Sequence, residues 1–485
     1  MSLTEFDAVI VGSGPNGLAA AITLQKAGLS VLLLEAKDTI GGGMRTEALT
    51  LPGFLHDVCS AIHPMAAASP FLQTLPLENF GLEYIHPTIC VAHPLDTGDG
   101  AALYRSLHWT AALLGSDATV YRRLYDPLVR RWSDIANDTL GPLSLPRHPL
   151  SMAQFGRHAI APALTLARRF QTPGAKALWA GIAAHAVAPL SSIATSAIGL
   201  VLTIAGHTTG WPLPKGGSGR IAHAMAAYFK SLGGNLETGL PIHSLSQLPS
   251  SRAVLFDIGP KQLLGIAGHK FSPLYQRQLS RFRYGPGVFK MDWALDTPIP
   301  FTNEQCRQAG TVHIGGTLEE IAFSEREAWN GRHTDNPFTL LAQQSLFDPT
   351  RAPRGKHTAY AYCHVPHGST LDRTAVIEDQ IEKLAPGFKD RILARHTMDT
   401  TALESYNANY IGGDVIGGAV DIRQLFTRPA LRSSPYRTSA KGLYLCSAST
   451  PPGGGVHGLC GFHAARRVLK DLFPGPVKNN NLLFL

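Results

Sequence analysis

Gly12, Gly14 and Gly17, followed by the acid Glu35, stand at a spacing that suits the grip of a dinucleotide. The first glycine permits a tight turn, the second lets a pyrophosphate approach the backbone, and the third lets a helix pack close to a strand. Glu35 is placed to take a ribose hydroxyl, and Pro15, Asn16 and Ala36, which flank these positions, join the candidate cofactor contacts. Glycines at this spacing are a weak signal by themselves, so the flanking elements decide. The run FDAVIV before Gly12 reads as a buried parallel strand, 18–26 as an Ala/Leu-rich helix closed by Ala27-Gly28, and VLLLE as a second strand ending in the acid. Strand, glycine turn, helix, strand and acid are in register, which predicts a Rossmann-like α/β unit.

The acid is followed directly by IGGGMRT at 40–46. With that motif in place, GSGPNGLAAAITLQKAGLSVLLLEAKDTIGGGMRT resembles the N-terminus of the FAD-dependent amine oxidase and phytoene desaturase superfamily. The resemblance implies FAD as cofactor, with backbone at Gly42 and Gly43 approaching it. Many members carry Arg directly after the glycine pair; here Gly43 stands there, and Arg45 is the basic candidate for the pyrophosphate. The resemblance also implies that 51–64 leads past the isoalloxazine end, with Ser60 as a contact. A second resembling element, WPLPKGGSGR at 211–220, is where the chain of such proteins returns to the cofactor domain. In the strand after it, the position that meets adenine through its backbone matches Ile242. The third element is KGLYLC, the loop SASTPPGGGVHG and a helix over 460–472. In relatives this loop lies along the flavin, which implies contacts from Ser447, Gly455, Val456 and His457. Reduction puts negative charge at the pyrimidine edge of a flavin, and the free N–H groups of a helix N-terminus stabilise it. His457 stands where relatives often have Pro; it reads either as a catalytic group or as a loop histidine bonded to its surroundings.

Two further stretches, YGPGVFKMDWAL and NYIGGDVIGG, look most like the desaturase-like branch that includes pyridine nucleotide-disulphide oxidoreductase domain-containing protein 2. Lys290 lies in the first, inside an apolar strand, with Asp292 on the same face. An ion pair with Asp292 at the sheet edge is one reading. The other, implied by the amine oxidase branch, is a catalytic lysine holding a water against flavin N5. The glycine-rich 410–418 follows no convincing strand and opens no helix, so no second dinucleotide site and no dedicated NAD(P)H cofactor are expected.

The resemblance runs in order along nearly the whole chain and implies a discontinuous FAD-binding domain from 1–75, 205–285 and 400–485. An α+β substrate domain from 76–204 and 286–399 would be inserted into it. The length of 485 residues also favours two domains over one core. Between 177 and 214 there is no Asp, Glu, Lys or Arg, yet the best apolar run, 193–205, is shorter than the ~20 residues a membrane span needs. Two buried helices lining an apolar cavity are expected there, with a peripheral membrane-facing surface as the alternative.

The net charge of +8 suits anionic surroundings such as a phosphate cofactor or lipid headgroups, or simply a solvated basic surface. No basic block interleaves with aromatics, so a nucleic-acid partner is not expected. Six scattered cysteines without metal-like spacing fit a reducing, cytoplasmic setting, and a strand starting at Phe6 leaves no room for a signal peptide before it. His364 and His367 flank a Pro with no third ligand nearby, so no metal is expected. The expected activity is therefore that of an FAD-dependent oxidoreductase of desaturase or dehydrogenase type, passing a hydride from an apolar, isoprenoid-like substrate to flavin N5. An oxygen-using amine oxidase, a non-redox flavin-dependent isomerase and a membrane-associated scaffold are the alternatives.

Overall fold

In the computed structural model, which describes residues 5–425 and 427–474, the N-terminal, central and C-terminal parts of the chain meet in one parallel sheet. Its five strands lie in the order Leu443–Leu445, Ser251–Phe256, Phe6–Val11, Val31–Leu34, Asn235–Glu237. Every neighbouring pair is parallel. The α/β fold expected from the sequence is the one observed; the outermost residues assigned to the cofactor domain, 1–4 and 475–485, lie outside the described residues.

The helix Pro15–Lys26 starts where Pro15 occupies the first turn, a position that has no N–H to lose. Its residues 16–24 are buried on nearly all sides, because helices Gly219–Ser231 and Leu459–Leu472 pack on it. Burial of Leu18, Ile22 and Leu24 contributes roughly 1.5–3 kcal/mol each. The contact with the C-terminal helix is unusually close: a Cβ on Gly461 would lie 1.7 Å from the Asn16 carbonyl oxygen. Only a glycine there lets the two helices touch.

A second sheet of seven strands lies in the order Ile392–Met398, Gly287–Leu295, His357–Val365, Thr339–Ala342, Ala309–Ile314, Ile89–Pro94, Gly100–Tyr104. It is antiparallel except where Ala309–Ile314 meets Ile89–Pro94. Strand alternation gives it two different faces. Met291, Trp293, Ala359, Ala361 and Cys363 form an apolar face, which packs with Ile377 and Ile381 of helix Thr374–Leu384 and with Phe388. The other face carries Lys290, Asp292, Tyr360, Tyr362 and His364, with His313 and His93 further along.

The charge-free segment folds as two helices, Pro173–Ala183 and Thr195–Thr208, broken between them by Val187 and Ala194 at positive φ. Both belong to a helical core shared with Leu124, Leu128, Trp132 and Ile135. The segment before them forms two helices, Ala118–Arg130 and Trp132–Thr139, which meet at Arg131. Gly181 of Pro173–Ala183 sits on the polar sheet face, where a Cβ would fall 2.7 Å from His313 Nδ1 and 3.0 Å from His93 Nδ1. The segment is thus turned inward, as two buried helices. Among the described residues no helix is long and apolar enough to cross a membrane. Ile193, in the turn between the two helices, is exposed, and large apolar side chains that are still more exposed, Leu143, Leu145 and Leu150 among them, lie outside the segment.

Candidate functional site

The parallel strands end at a cavity of about 620 Å³, a size typical of small-molecule sites. In an open α/β sheet this is the end where ligands bind. Leaving Val11, the chain turns at Gly12 with φ at +101°, a conformation that favours glycine. Gly14 is different. Its φ of −64° suits any residue, but a Cβ would lie 2.6 Å from Asp257 Oδ2. A Cβ on Gly42 would lie 3.2 Å from the Gly14 Cα, so two backbones form one cradle. No side chain caps the helix at Gly14, and the Asn16 Oδ1 facing this region is buried with no partner among the described residues. A glycine cradle beneath an open helix N-terminus fits a bound pyrophosphate.

Of the residues expected to hold the cofactor, Gly12, Gly14, Pro15, Asn16, Glu35 and Ala36 line one wall of the cavity. Gly42, Gly43, Arg45 and Ser60 line a second, and Ile242, Ser447, Gly455 and Val456 complete it. Glu35 is held rigidly. Ser13 donates to Oε2 through its N–H and its Oγ, at 3.0 and 2.5 Å, while the Lys37 N–H and Arg45 Nη2 donate to Oε1 at 3.0 and 3.1 Å. Arg45 is therefore not the free cation expected for a pyrophosphate. It is 5% exposed, bonded to Glu35 and to the Thr39 carbonyl, and stacked 5.7 Å from the centre of the Tyr406 ring. Ser60 donates to the Gly43 carbonyl through both its N–H and its Oγ, which fixes the glycine pair. Ser60 is fixed in turn: its own carbonyl accepts from Ser218 Oγ, and the Ser218 N–H donates to Asp57, whose other oxygen is paired with buried Arg351.

Three expected site residues do not face the cavity. Gly17 lies beneath it, where a Cβ would fall 1.9 Å from the Gly12 carbonyl oxygen, so its role is packing. His457 is folded into its own loop. Its Nδ1 accepts from the Leu459 N–H at 3.0 Å, so Nε2 carries the proton and donates to the Gly453 carbonyl at 3.2 Å. Burial keeps this ring neutral by lowering its pKa to about 4. Lys290 is paired with Asp292, both fully buried on an interior strand and not at a sheet edge. Burial pushes the Asp292 carboxyl up, but Lys290 and the bond to His396 outweigh it and hold it below its ordinary value.

The sequence reading missed Asp257 and the stretch 406–417. Asp257 follows the strand Ser251–Phe256 and accepts the Gly17 N–H under the cradle. Burial raises its pKa to about 7, opposed by that hydrogen bond and reinforced by the charge of Glu35. Its one visible signal is a lone acid at the carboxyl end of a third apolar strand. Tyr406, Tyr410, Val415 and Gly417 line the same cavity. The glycine-rich 410–418 is a loop wound on one carboxylate: Asp414 accepts from the N–H groups of Gly285, Ile416, Gly417 and Gly418.

The description "Flavin containing amine oxidoreductase" matches residues 16–263, half of the chain. Pyridine nucleotide-disulfide oxidoreductase domain-containing protein 2 of Mus musculus is 26% identical, covering 96% of this chain and 94% of its own. The lycopene-forming phytoene desaturase of Paracoccus sp. is 24% identical over 96% of this chain and 97% of its own. Among solved structures, cyclohexylamine oxidase from Brevibacterium oxydans shares the fold with a TM-score of 0.59 at 16% identity, over 96% of this chain and 99% of that one. An oxidoreductase from Methanosarcina mazei does so at 0.62 and 15%, over 96% and 99%. The chain thus belongs to the flavin containing amine oxidoreductase family, with FAD as its cofactor.

Proposed function

We propose that this oxidoreductase dehydrogenates an apolar, isoprenoid-like substrate, a hydride leaving a substrate carbon for flavin N5. When bound, FAD supplies the two-electron acceptor. One observation carries the choice of substrate: the helices Pro173–Ala183 and Thr195–Thr208, without a charged side chain from 177 onward, cover a sheet face that reaches the cofactor cavity. That connection is made by Tyr360, whose Oη donates at 2.8 Å to the carbonyl of cavity-lining Cys59. An apolar molecule at the flavin end of the cavity would therefore lie next to this sheet face, with the buried helices behind it excluding water. Delivery from a lipid surface belongs to the same reading, supported by exposed Leu143, Leu145 and Leu150 and by the net positive charge.

Anaerobic mixing of the yellow holoprotein with a panel of isoprenoids and a panel of aliphatic amines tests this. Bleaching of the flavin by isoprenoids is expected. Bleaching by amines alone would overturn the substrate class, and no bleaching by either panel would favour a non-redox use of the flavin.

A further inference from the structure

On the sheet face that reaches the cofactor cavity, one side chain is built like a base, its open nitrogen without a partner among the described residues. Along His357–Val365, Tyr360, Tyr362 and His364 share a face, their ring centres 5.9 and 5.7 Å apart in succession. The row begins at the cavity, where Tyr360 bonds Cys59. It stays beside it, because His364 pairs across the sheet with Val288, which packs with Tyr410 and Val415 of the cavity wall. His364 Nδ1 lies 2.8 and 2.9 Å from the two oxygens of Glu325, on helix Leu318–Trp329. A carboxylate only accepts, so Nδ1 carries a proton, and in the neutral imidazole Nε2 then presents a lone pair. That Nε2 is buried and has no partner among the described residues. An imidazole held in one tautomer by a carboxylate, with its other nitrogen open, is the arrangement of a general base.

We infer that His364, positioned by Glu325, takes the proton released as the hydride leaves, and that the substrate is an apolar alcohol with its hydroxyl on the reacting carbon. The inference rests on the dehydrogenation proposed above. A pure hydrocarbon would leave Nε2, buried among the rings of Phe338 and Tyr362, without a partner, whereas a hydroxyl satisfies it. An ammonium fits less well: Glu325 is committed to His364, and Asp292 on the same face is already paired with Lys290. In the step, the C–H bond breaks and its electron pair goes with the hydrogen to N5 of oxidised flavin. The O–H bond breaks and its proton goes to Nε2, and a C=O bond forms. The products are an aldehyde or ketone, reduced flavin and an imidazolium paired with Glu325.

The test uses holoprotein with 15N-labelled imidazoles, the His364 signals assigned through His364→Gln. The tautomer should be Nδ1–H in the free protein and should become mixed in Glu325→Gln; a proton on Nε2 in the free protein would overturn the inference without touching the flavin reading. Geraniol, an isoprenoid alcohol, should shift the Nε2 signal and bleach the flavin anaerobically, while the hydrocarbon myrcene should do neither. In His364→Gln the visible flavin spectrum should be retained and reduction by geraniol slowed at least about 100-fold. If geraniol leaves Nε2 unmoved, if geranylamine alone moves it, or if His364→Gln reduces at the original rate, the alcohol and the base are both wrong. Bleaching by myrcene in the same protein would preserve dehydrogenation and reject this inference.

Discussion

The backbone N–H of Gly17 donates to the carboxylate of Asp257 at 2.8 Å, and the same carboxylate lies where a Cβ on Gly14 would have to go. One acid thus ties the first helix to a neighbouring strand and forms the floor of the phosphate cradle. Its folded pKa, about 7, is above the ordinary 3.8. Whatever stability it contributes is therefore complete below about pH 4 and is lost as pH rises through 7. Asp257→Asn keeps an acceptor for Gly17 without the charge. The variant should be more stable than the parent at pH 8.5, by up to roughly 4 kcal/mol, and indistinguishable near pH 4. It should also bind FAD about tenfold more tightly at pH 8.5, since one anion opposite the pyrophosphate is gone. Denaturant titrations and flavin-fluorescence titrations at the two pH values check both.

Gly14 is required for room and not for conformation, which sets a graded expectation. Gly14→Ala should weaken FAD binding, because its methyl group meets Asp257. Gly14→Leu should abolish it, leaving a folded, colourless protein. The ratio of visible to ultraviolet absorbance after purification, with chromatography of heat-released flavin, measures the loss.

Lys290 neutralises Asp292 where neither touches solvent. Lys290→Met should therefore destabilise the protein by about 3–5 kcal/mol, because it leaves a buried carboxylate without its cation. The double variant with Asp292→Asn should regain most of that. Flavin content of the folded fraction should not change, since Lys290 is absent from the cavity wall. An unshifted denaturation midpoint together with slow reoxidation of flavin by oxygen would instead assign Lys290 to catalysis.

Neighbouring positions on helix Thr195–Thr208 should respond differently. Leu200 is wholly buried in the helical core, whereas Ile198 is half-buried at its border. Leu200→Asp should cost more than about 4 kcal/mol or prevent folding. Ile198→Asp should fold with a smaller loss. Thermal denaturation of the pair distinguishes an inward-facing helix from one lying on a membrane, for which the two would rank the other way.

What could be read from the sequence follows from how local each interaction is. The cradle at Gly12 and Gly14 is made of backbone, so glycine spacing between two apolar strands announces it directly. The glycine loop before Leu459–Leu472, whose Gly455 and Val456 line the cavity, is equally local, and its position in the fold was legible for that reason. The partners of Arg45, which lines the cavity as expected, were not legible because they depend on how 35–46 coils back on itself, placing the guanidinium against Glu35 and Thr39. Asp257 and Tyr410 were missed because they enter through strand order and through a loop shaped by Asp414, neither of which leaves a periodic trace. The pairing of His364 with Glu325 joins a strand to a helix through side chains alone, and nothing in the spacing of either segment foretells it.

The close fit of Gly461 against Asn16 also orders events in time. Helix Pro15–Lys26 is buried by a helix that is translated long after it, and the strand Leu443–Leu445 extends a sheet begun by Phe6–Val11. Such long-range closure is slow, and until it happens a largely apolar helix stays uncovered. On the ribosome, the central seven-stranded sheet can assemble while the nucleotide-binding portion is still incomplete. Flavin capture therefore waits until Leu459–Leu472 has been made, and the nascent polypeptide has until then the character of a chaperone client.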